Sequence, residues 1–342
     1  MAIKTTEASP AYIPTVDIGA WLNPDATEAD KQHVVDQVHH AATTYGFFQI
    51  VEHGVTPETR QQILDLTKKF FALPIEERMS VSVSNSLGQS FRGYEPSLIQ
   101  THHKGLLPDT KETFIVGAEI PADHPDAGTF SCGPNLWPKA IPDEDFRQPV
   151  MAYQAQMVNL VKILLKILRR GLPESWNCAP DALDVLAENA SIPMRMLHYG
   201  PQPVRDDRQF GESTVADHTD FGCVTILLQE LGTKGLEVWY PPTETWIPVP
   251  PKKDAYVINI SDTMDRYTGG YYRSARHRVL TTDRDRYSVA FFLNGNLKLD
   301  APVLDGSGGR IVLGEQIRQN AIKTFGGKTG DLLKNAKELE VR

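Results

Sequence analysis

Asp217-His218-Thr219-Asp220-Phe221-Gly222, read together with Ser274-Ala275-Arg276-His277-Arg278-Val279, decides the fold of this chain. A histidine and a carboxylate one residue apart, with a second histidine far downstream, form the two-histidine, one-carboxylate triad that holds non-haem iron(II) and leaves coordination positions open. In an extended strand residues i and i+2 point the same way, so His218 and Asp220 are expected on one face. His277 must then arrive from another strand of a closed sheet. The same alternation sends Asp217 to the opposite face, towards solvent or a salt bridge.

A second constellation follows the distal histidine. Arg286-Tyr287-Ser288 puts a guanidinium and a hydroxyl on one face of the next expected strand, a pairing suited to a carboxylate. Tyr199, closing the strand-like run Met194-Arg195-Met196-Leu197-His198-Tyr199, offers a further phenolic donor. His198 is one position out of phase with Tyr199 and reads as a packed histidine behind the site.

With these residues in view the chain resembles the iron(II)/2-oxoglutarate-dependent dioxygenases of the isopenicillin N synthase-like branch. The likeness begins at Ile13-Pro14-Thr15-Val16-Asp17-Ile18 and Tyr45-Gly46-Phe47-Phe48-Gln49-Ile50, and continues through Phe70-Phe71-Ala72-Leu73-Pro74, Arg92-Gly93-Tyr94 and Lys111-Glu112-Thr113-Phe114. It runs on through Gly133-Pro134-Asn135-Leu136-Trp137-Pro138 to Phe291-Phe292-Leu293-Asn294-Gly295-Asn296. One departure stands out. In Asn259-Ile260-Ser261-Asp262 a serine occupies a position where the family usually has glycine, and a left-handed turn there would be strained.

Composition fits a soluble enzyme. At 342 residues the chain can bury ample core, and its net charge of −8 with no basic run argues against a nucleic-acid partner. Cys132, Cys178 and Cys223 are widely spaced, with no Cys-x-x-Cys pair and no disulfide framework, which fits a reducing, cytoplasmic setting. No stretch approaches the ~18 uninterrupted apolar residues of a membrane span. Gly326-Gly327-Lys328-Thr329 mimics a phosphate loop, but Ile322 stands where its first glycine is required, so it reads as a turn.

Periodicity divides the chain into a helix-rich first half and a strand-rich second half. Residues 28–44 and 57–72 read as helices around the apolar strand Phe47 to Val51, and the Gly- and Pro-rich stretch from Asn85 to Pro142 as loop with short strands. Val150, Tyr153, Met157, Leu160, Val161, Leu164 and Leu168 form one helical stripe. Arg169 and Arg170 suit its C-terminal dipole, and Gly171 with Pro173 ends it. After Ile192 come short β runs at Met194–Tyr199, Val224–Gln229, Leu236–Tyr240, Tyr256–Ile260, Arg278–Thr281 and Tyr287–Leu293. Strands in this number following helices indicate an α+β chain with a cupin-like jelly roll and supporting helices.

The resemblance implies a double-stranded β-helix core with iron between its sheets. The expected organisation is a tail at 1–12, an N-terminal α/β region at 13–130, a linker and long supporting helix at 131–190, the jelly-roll core at 191–300, and a C-terminal helical segment at 301–342 that could act as a lid. It implies that His218, Asp220 and His277 bind iron(II), and that Arg286, Ser288 and Tyr199 bind 2-oxoglutarate. Three protein ligands leave three positions on an octahedral ion, two for a chelating 2-oxo acid and one for dioxygen. The expected reaction oxidises an unactivated C–H bond of a small molecule and releases succinate and carbon dioxide. Hydroxylation leads desaturation, cyclisation and ring expansion, in a secondary-metabolic setting, and the presence of Asp220 disfavours halogenation. By position Arg195, Phe221 and Phe292 are expected to face the substrate. The alternatives are an oxidase of the same fold that uses no 2-oxoglutarate, and a non-catalytic jelly-roll binding protein; the residues do not address oligomeric state.

Overall fold

The computed structural model describes residues 12–97, 110–201, 213–280 and 283–324. The Gly326–Thr329 turn therefore lies outside the described residues.

The first half supplies helices and edge strands. β1 (Thr15–Asp17) leads to α1 (Glu28–Thr44), β2 (Phe47–Val51), α2 (Pro57–Phe71), α3 (Ile75–Ser80), β3 (Gly93–Glu95), β4 (Lys111–Val116) and the long α4 (Arg147–Arg170). Local chemistry fixes the helix starts. Thr27 accepts from the Asp30 N–H while Asp30 answers the Thr27 backbone, a reciprocal capping box. Thr56 caps α2 ahead of Pro57 at its first turn.

The second half is almost entirely strand. β5 (Met194–Tyr199), β6 (Ser213–His218), β7 (Val224–Gln229), β8 (Leu236–Tyr240), β9 (Thr245–Pro248) and β10 (Tyr256–Ile260) precede the short α5 (Asp262–Tyr267). Next come β11 (His277–Leu280), β12 (Arg286–Leu293), β13 (Asp300–Pro302), β14 (Arg310–Val312) and α6 (Leu313–Thr324). The segment expected to be helical from 301 thus opens on a two-stranded hairpin, β13 with β14, and only then turns helical.

Two sheets face each other across a cavity. The larger has the order β1-β2-β10-β7-β12-β5-β4-β3, and the smaller β6-β11-β8-β9. Among the described strands all pairings are antiparallel except that of β1 with β2, and an isolated bridge from Ser82 to Tyr94 of β3 is also parallel. This is the α+β double-stranded β-helix expected from the sequence. The N-terminal strands are not a separate layer, however. β1 and β2 extend one edge of the large sheet and β3 and β4 the other, so the boundary placed near 191 divides the sequence but not the sheet.

The core lies in two layers. Alternating strand residues meet the stripe of α4, together with α1 and α2, on the outer face of the large sheet, where Val150, Met157, Leu164, Phe70, Phe114, Ile226 and Phe291 are fully enclosed. A smaller cluster, including Phe47, Leu197, Tyr199, Val238, Val257 and Ala290, fills the space between the sheets. At about 25 cal/mol per Å² of apolar surface, each fully buried large side chain contributes roughly 1.5–3 kcal/mol, so these layers hold the cavity walls rigid. No helix among the described residues is long and apolar enough to cross a membrane.

Candidate active site

His218 is the last residue of β6 and His277 the first of β11, and the two are directly opposite in the antiparallel pairing. Their ring centroids lie 4.3 Å apart. Asp220 falls just past the end of β6, so a turn, not strand alternation, brings its carboxylate beside them. Its Oδ1 is 3.7 Å from the Nε2 of each histidine. That is too long for a hydrogen bond and suits donors gathered around one shared cation; the three ligand atoms lie within 4.8 Å of one another. The other carboxylate oxygen is committed to protein. Asp220 Oδ2 accepts from Thr225 Oγ1 at 2.6 Å and from Asn259 Nδ2 at 2.7 Å. With Nδ1 of His277 donating to the Ala275 carbonyl at 3.2 Å, its Nε2 lone pair is left for the centre.

The turn carrying Asp220 is tied to its surroundings through the start of α5. Backbone N–H groups of Asp262 and Thr263 donate to the carbonyls of Asp220 and Gly222, each at 2.9 Å. The Asp262 carboxylate accepts from Thr219 at 3.1 Å and from Ser274 at 2.7 Å, joining the approaches to both histidine strands. A Cβ at Gly222 would sit 2.7 Å from the Leu293 carbonyl, so only glycine allows this close approach. Ser261 has φ −114 and ψ 172, ordinary extended backbone. The strain expected of a serine in place of glycine is therefore absent. Asp217, on the other face, lies 3.6 Å from Arg276 Nε and takes no part in the triad.

A second polar focus lies deeper in the same cavity. Arg286 on β12 and Tyr199 on β5 are opposite each other, and the guanidinium carbon is 4.6 Å from the tyrosine ring centre. Arg286 is 1% exposed, and one of its terminal nitrogens donates to Gln229 Oε1 at 3.1 Å. Its Nε and its other terminal nitrogen, and the Oγ of fully buried Ser288, have no partner. Leaving a buried polar group unpaired costs about 1–3 kcal/mol, more for a charged one. Two guanidinium donors and a hydroxyl on one face are what a carboxylate satisfies, so the residues fit the distal end of a dicarboxylic 2-oxo acid.

The cavity that both foci line has a volume of about 220 Å³. Arg195, Phe221 and Phe292 all line it, as expected, and the Arg195 guanidinium lies 5.8 Å from the Phe292 ring. Sequence reasoning missed several wall residues. Buried Glu95 on β3 and Lys111 on β4 face the cavity, joined by Phe91 and Phe130 as an edge-to-face pair 5.8 Å apart. Arg92 is buried beside them, donating to the Ser90 and Ser131 carbonyls at 2.6 and 2.8 Å, and burial lowers its pKa to about 10. Period-2 alternation from Arg195 and Tyr199, extended to the neighbouring strand, would have put Lys111, Thr113 and Ile115 on this wall.

Comparison with known proteins identifies the family. Residues 13–140 match the family described as non-haem dioxygenase in morphine synthesis, N-terminal, and residues 191–295 match the 2OG-Fe(II) oxygenase superfamily. The 2-oxoglutarate-dependent dioxygenase tropC of Talaromyces stipitatus is 62% identical over 314 residues, covering 92% of this chain and 96% of the relative. The 2-oxoglutarate-dependent dioxygenase eupC of a Phoma species is 52% identical over 334 residues, covering 98% and 99%. Among solved structures, a full-length Neurospora crassa protein in complex with alpha-KG superposes with a TM-score of 0.76 at 23% identity, over 92% of this chain and 98% of that one. The chain belongs to the 2OG-Fe(II) oxygenase superfamily and is an iron(II)- and 2-oxoglutarate-dependent dioxygenase.

Proposed function

We propose that His218, Asp220 and His277 hold the iron(II), and that Arg286, Ser288 and Tyr199 hold the distal carboxylate of 2-oxoglutarate. The enzyme would then oxidise a C–H bond of a compact small molecule bearing an anionic or carbonyl oxygen. The observation that carries this reading is the pairing, within one cavity, of the open triad with the buried Arg286 guanidinium, two of whose nitrogens lack partners, as does the Oγ of Ser288 two residues along the same strand. Bound iron(II) supplies the chemistry the side chains lack, coupling oxidative decarboxylation of 2-oxoglutarate by dioxygen to oxidation of the substrate.

The side chains do the rest by position. Arg286 and Ser288 fix the far end of the co-substrate, and Asp220, its outer oxygen held by Thr225 and Asn259, keeps one direction towards the centre. The apolar walls would limit water, and Phe221 and Phe292 among them offer ring faces to a flat or apolar body. Arg195 stands where it can orient a negatively polarised oxygen on that body. Hydroxylation is the direct outcome; removal of two hydrogens or ring expansion are variants of the same oxidation. A carboxylate at Asp220 leaves no vacancy for a halide. The widely spaced free cysteines support a cytoplasmic setting.

The test has two parts. Iron stoichiometry after anaerobic reconstitution should collapse in His218→Ala, Asp220→Ala and His277→Ala and persist in Asp217→Ala; wild-type iron content in Asp220→Ala would sink the triad. Incubating the iron-loaded enzyme with metabolite extracts should release succinate in step with products that gain one oxygen or lose two hydrogens. Oxygen uptake without succinate would instead mark an oxidase independent of 2-oxoglutarate.

A further inference from the structure

The outer face of the large sheet carries an ionic cluster that the oxidation does not use. His198 precedes Tyr199 on β5, so its ring points away from the cavity and packs 5.4 Å from the Phe71 ring of α2. Its neighbours across the sheet are Glu112 on β4 and Tyr287 on β12. Nδ1 of His198 lies 2.6 Å from Glu112 Oε1, and Nε2 lies 2.7 Å from Oδ1 of Asp285, the residue just before β12. The Tyr287 ring stacks on the imidazole at 4.7 Å and 13°.

The two contacts define the charge state. A neutral imidazole has one N–H and one lone pair, so it can donate to only one of two flanking carboxylates, and the other contact would set lone pairs against each other. Both close together only in the imidazolium. Burial opposes that charge, yet the hydrogen bonds and charges of Glu112 and Asp285 outweigh it and hold His198 above its ordinary range. For Glu112 burial pushes upward, and bonds to His198 and Tyr94 with the charge of Arg78 prevail, holding it below the usual carboxylate range. The remaining groups facing the cluster are Arg78 of α3 and Tyr94 of β3, both bonded to Glu112, and Lys68 of α2, which lies over Tyr287 and pairs with Glu230.

The clamp residues are direct chain neighbours of this bridge. Tyr199 follows His198, and Arg286 follows Asp285. We propose that His198 is a positioning residue for the co-substrate: as an imidazolium it ties β4 to Asp285, just ahead of β12, across β5, and so holds Tyr199 and Arg286 in register around the 2-oxoglutarate carboxylate. This rests on the reading that those two residues grip 2-oxoglutarate. The bridged form is the protonated one, so the grip is complete at and below the ordinary imidazole range, about pH 6.5. It slackens as pH rises through the raised value of the folded protein.

The experiment is anaerobic calorimetry of 2-oxoglutarate binding to the iron(II)-loaded protein between about pH 6 and about pH 9, with the His198 imidazole followed by NMR across its ordinary range and above. Wild-type affinity should weaken by roughly two- to fivefold, the range for an ion pair with one half-exposed partner, and the midpoint should coincide with the titration of His198. His198→Gln should remove the pH dependence. Asp285→Asn, at an exposed side chain that leaves the core untouched, should move the midpoint to lower pH and raise the KM for 2-oxoglutarate while sparing kcat. A flat wild-type profile, or a pH dependence that survives His198→Gln, overturns the proposal. Arg286→Ala separates it from the reading beneath. Loss of binding at every pH leaves the clamp standing and places any failure on His198; unchanged binding removes the clamp and the proposal together.

Discussion

Asn259→Ala tests how far the iron site is built from behind its carboxylate. Asn259 is 3% exposed on β10, opposite Thr225 of β7, and both donate to the same oxygen of Asp220. The side-chain amide oxygen of Asn259 has no partner, so alanine removes one hydrogen bond to the Asp220 carboxylate without stranding a second group. Such a bond is worth about 1.5–3 kcal/mol, which at about 1.4 kcal/mol per decade corresponds to roughly one to two orders of magnitude in affinity. Partners that orient metal ligands from behind typically cost 10–100-fold when removed. Iron(II) affinity should accordingly fall by about 10–100-fold. Anaerobic competition titration with a chelator reads this directly, and cobalt(II) absorption reports whether the geometry around the metal has changed. Thr225→Val should behave alike, and the double variant should be worse than either because the carboxylate is then free to rotate. Iron(II) affinity within about twofold of wild type in a folded Asn259→Ala protein would refute the reasoning.

Other outcomes follow from the same site. Arg286→Lys keeps the charge and loses the planar fork, so 2-oxoglutarate affinity measured by calorimetry should drop by about tenfold or more, and wild-type affinity would contradict the clamp. Arg195→Ala should leave iron and 2-oxoglutarate binding intact while lowering the ratio of product to succinate on the true substrate; an unchanged ratio would make Arg195 structural. Burial and the nearby charge of Arg60 depress His53 to about 4, so the unfolded chain takes up a proton that the folded one refuses. Stability should therefore fall as pH drops from about 6.5 towards that value; thermal melts of His53→Gln that keep the full wild-type slope would assign the acid sensitivity elsewhere.

The clustering of His218, Asp220 and His277 was legible because they are spelled by short motifs at strand ends, and apolar alternation located the strands around them. What supports them was not. Thr225 and Asn259 meet Asp220 only because β7 and β10 pair in one register, a long-range choice on which neighbouring residues carry no mark. Glu95 and Lys111 escaped notice for a related reason. Glu95 ends the three-residue edge strand β3 and Lys111 begins β4, so the inward face of each is defined by its pairing partner and not by its own period. The change from helical to strand periodicity near 191 coincides with the start of the matched oxygenase region, but it could not show that β2 pairs with β10 and β4 with β5, which joins the first-half strands to the same sheet.

The strand order of the large sheet also dictates the sequence in which a growing chain can complete it. β12 lies between β7 and β5, yet it is the last of the eight strands to be made. Until Leu293 has left the ribosome, the sheet exists as two half-sheets, each with an exposed row of unpaired backbone groups along β7 or β5. Such edges invite pairing with other chains. The nascent protein is therefore vulnerable to aggregation until β12 is made, and the strand that closes the gap is the one carrying Arg286 and Ser288. A chain cut short before β12 loses both Arg286 and Ser288 and the means of sealing its own sheet.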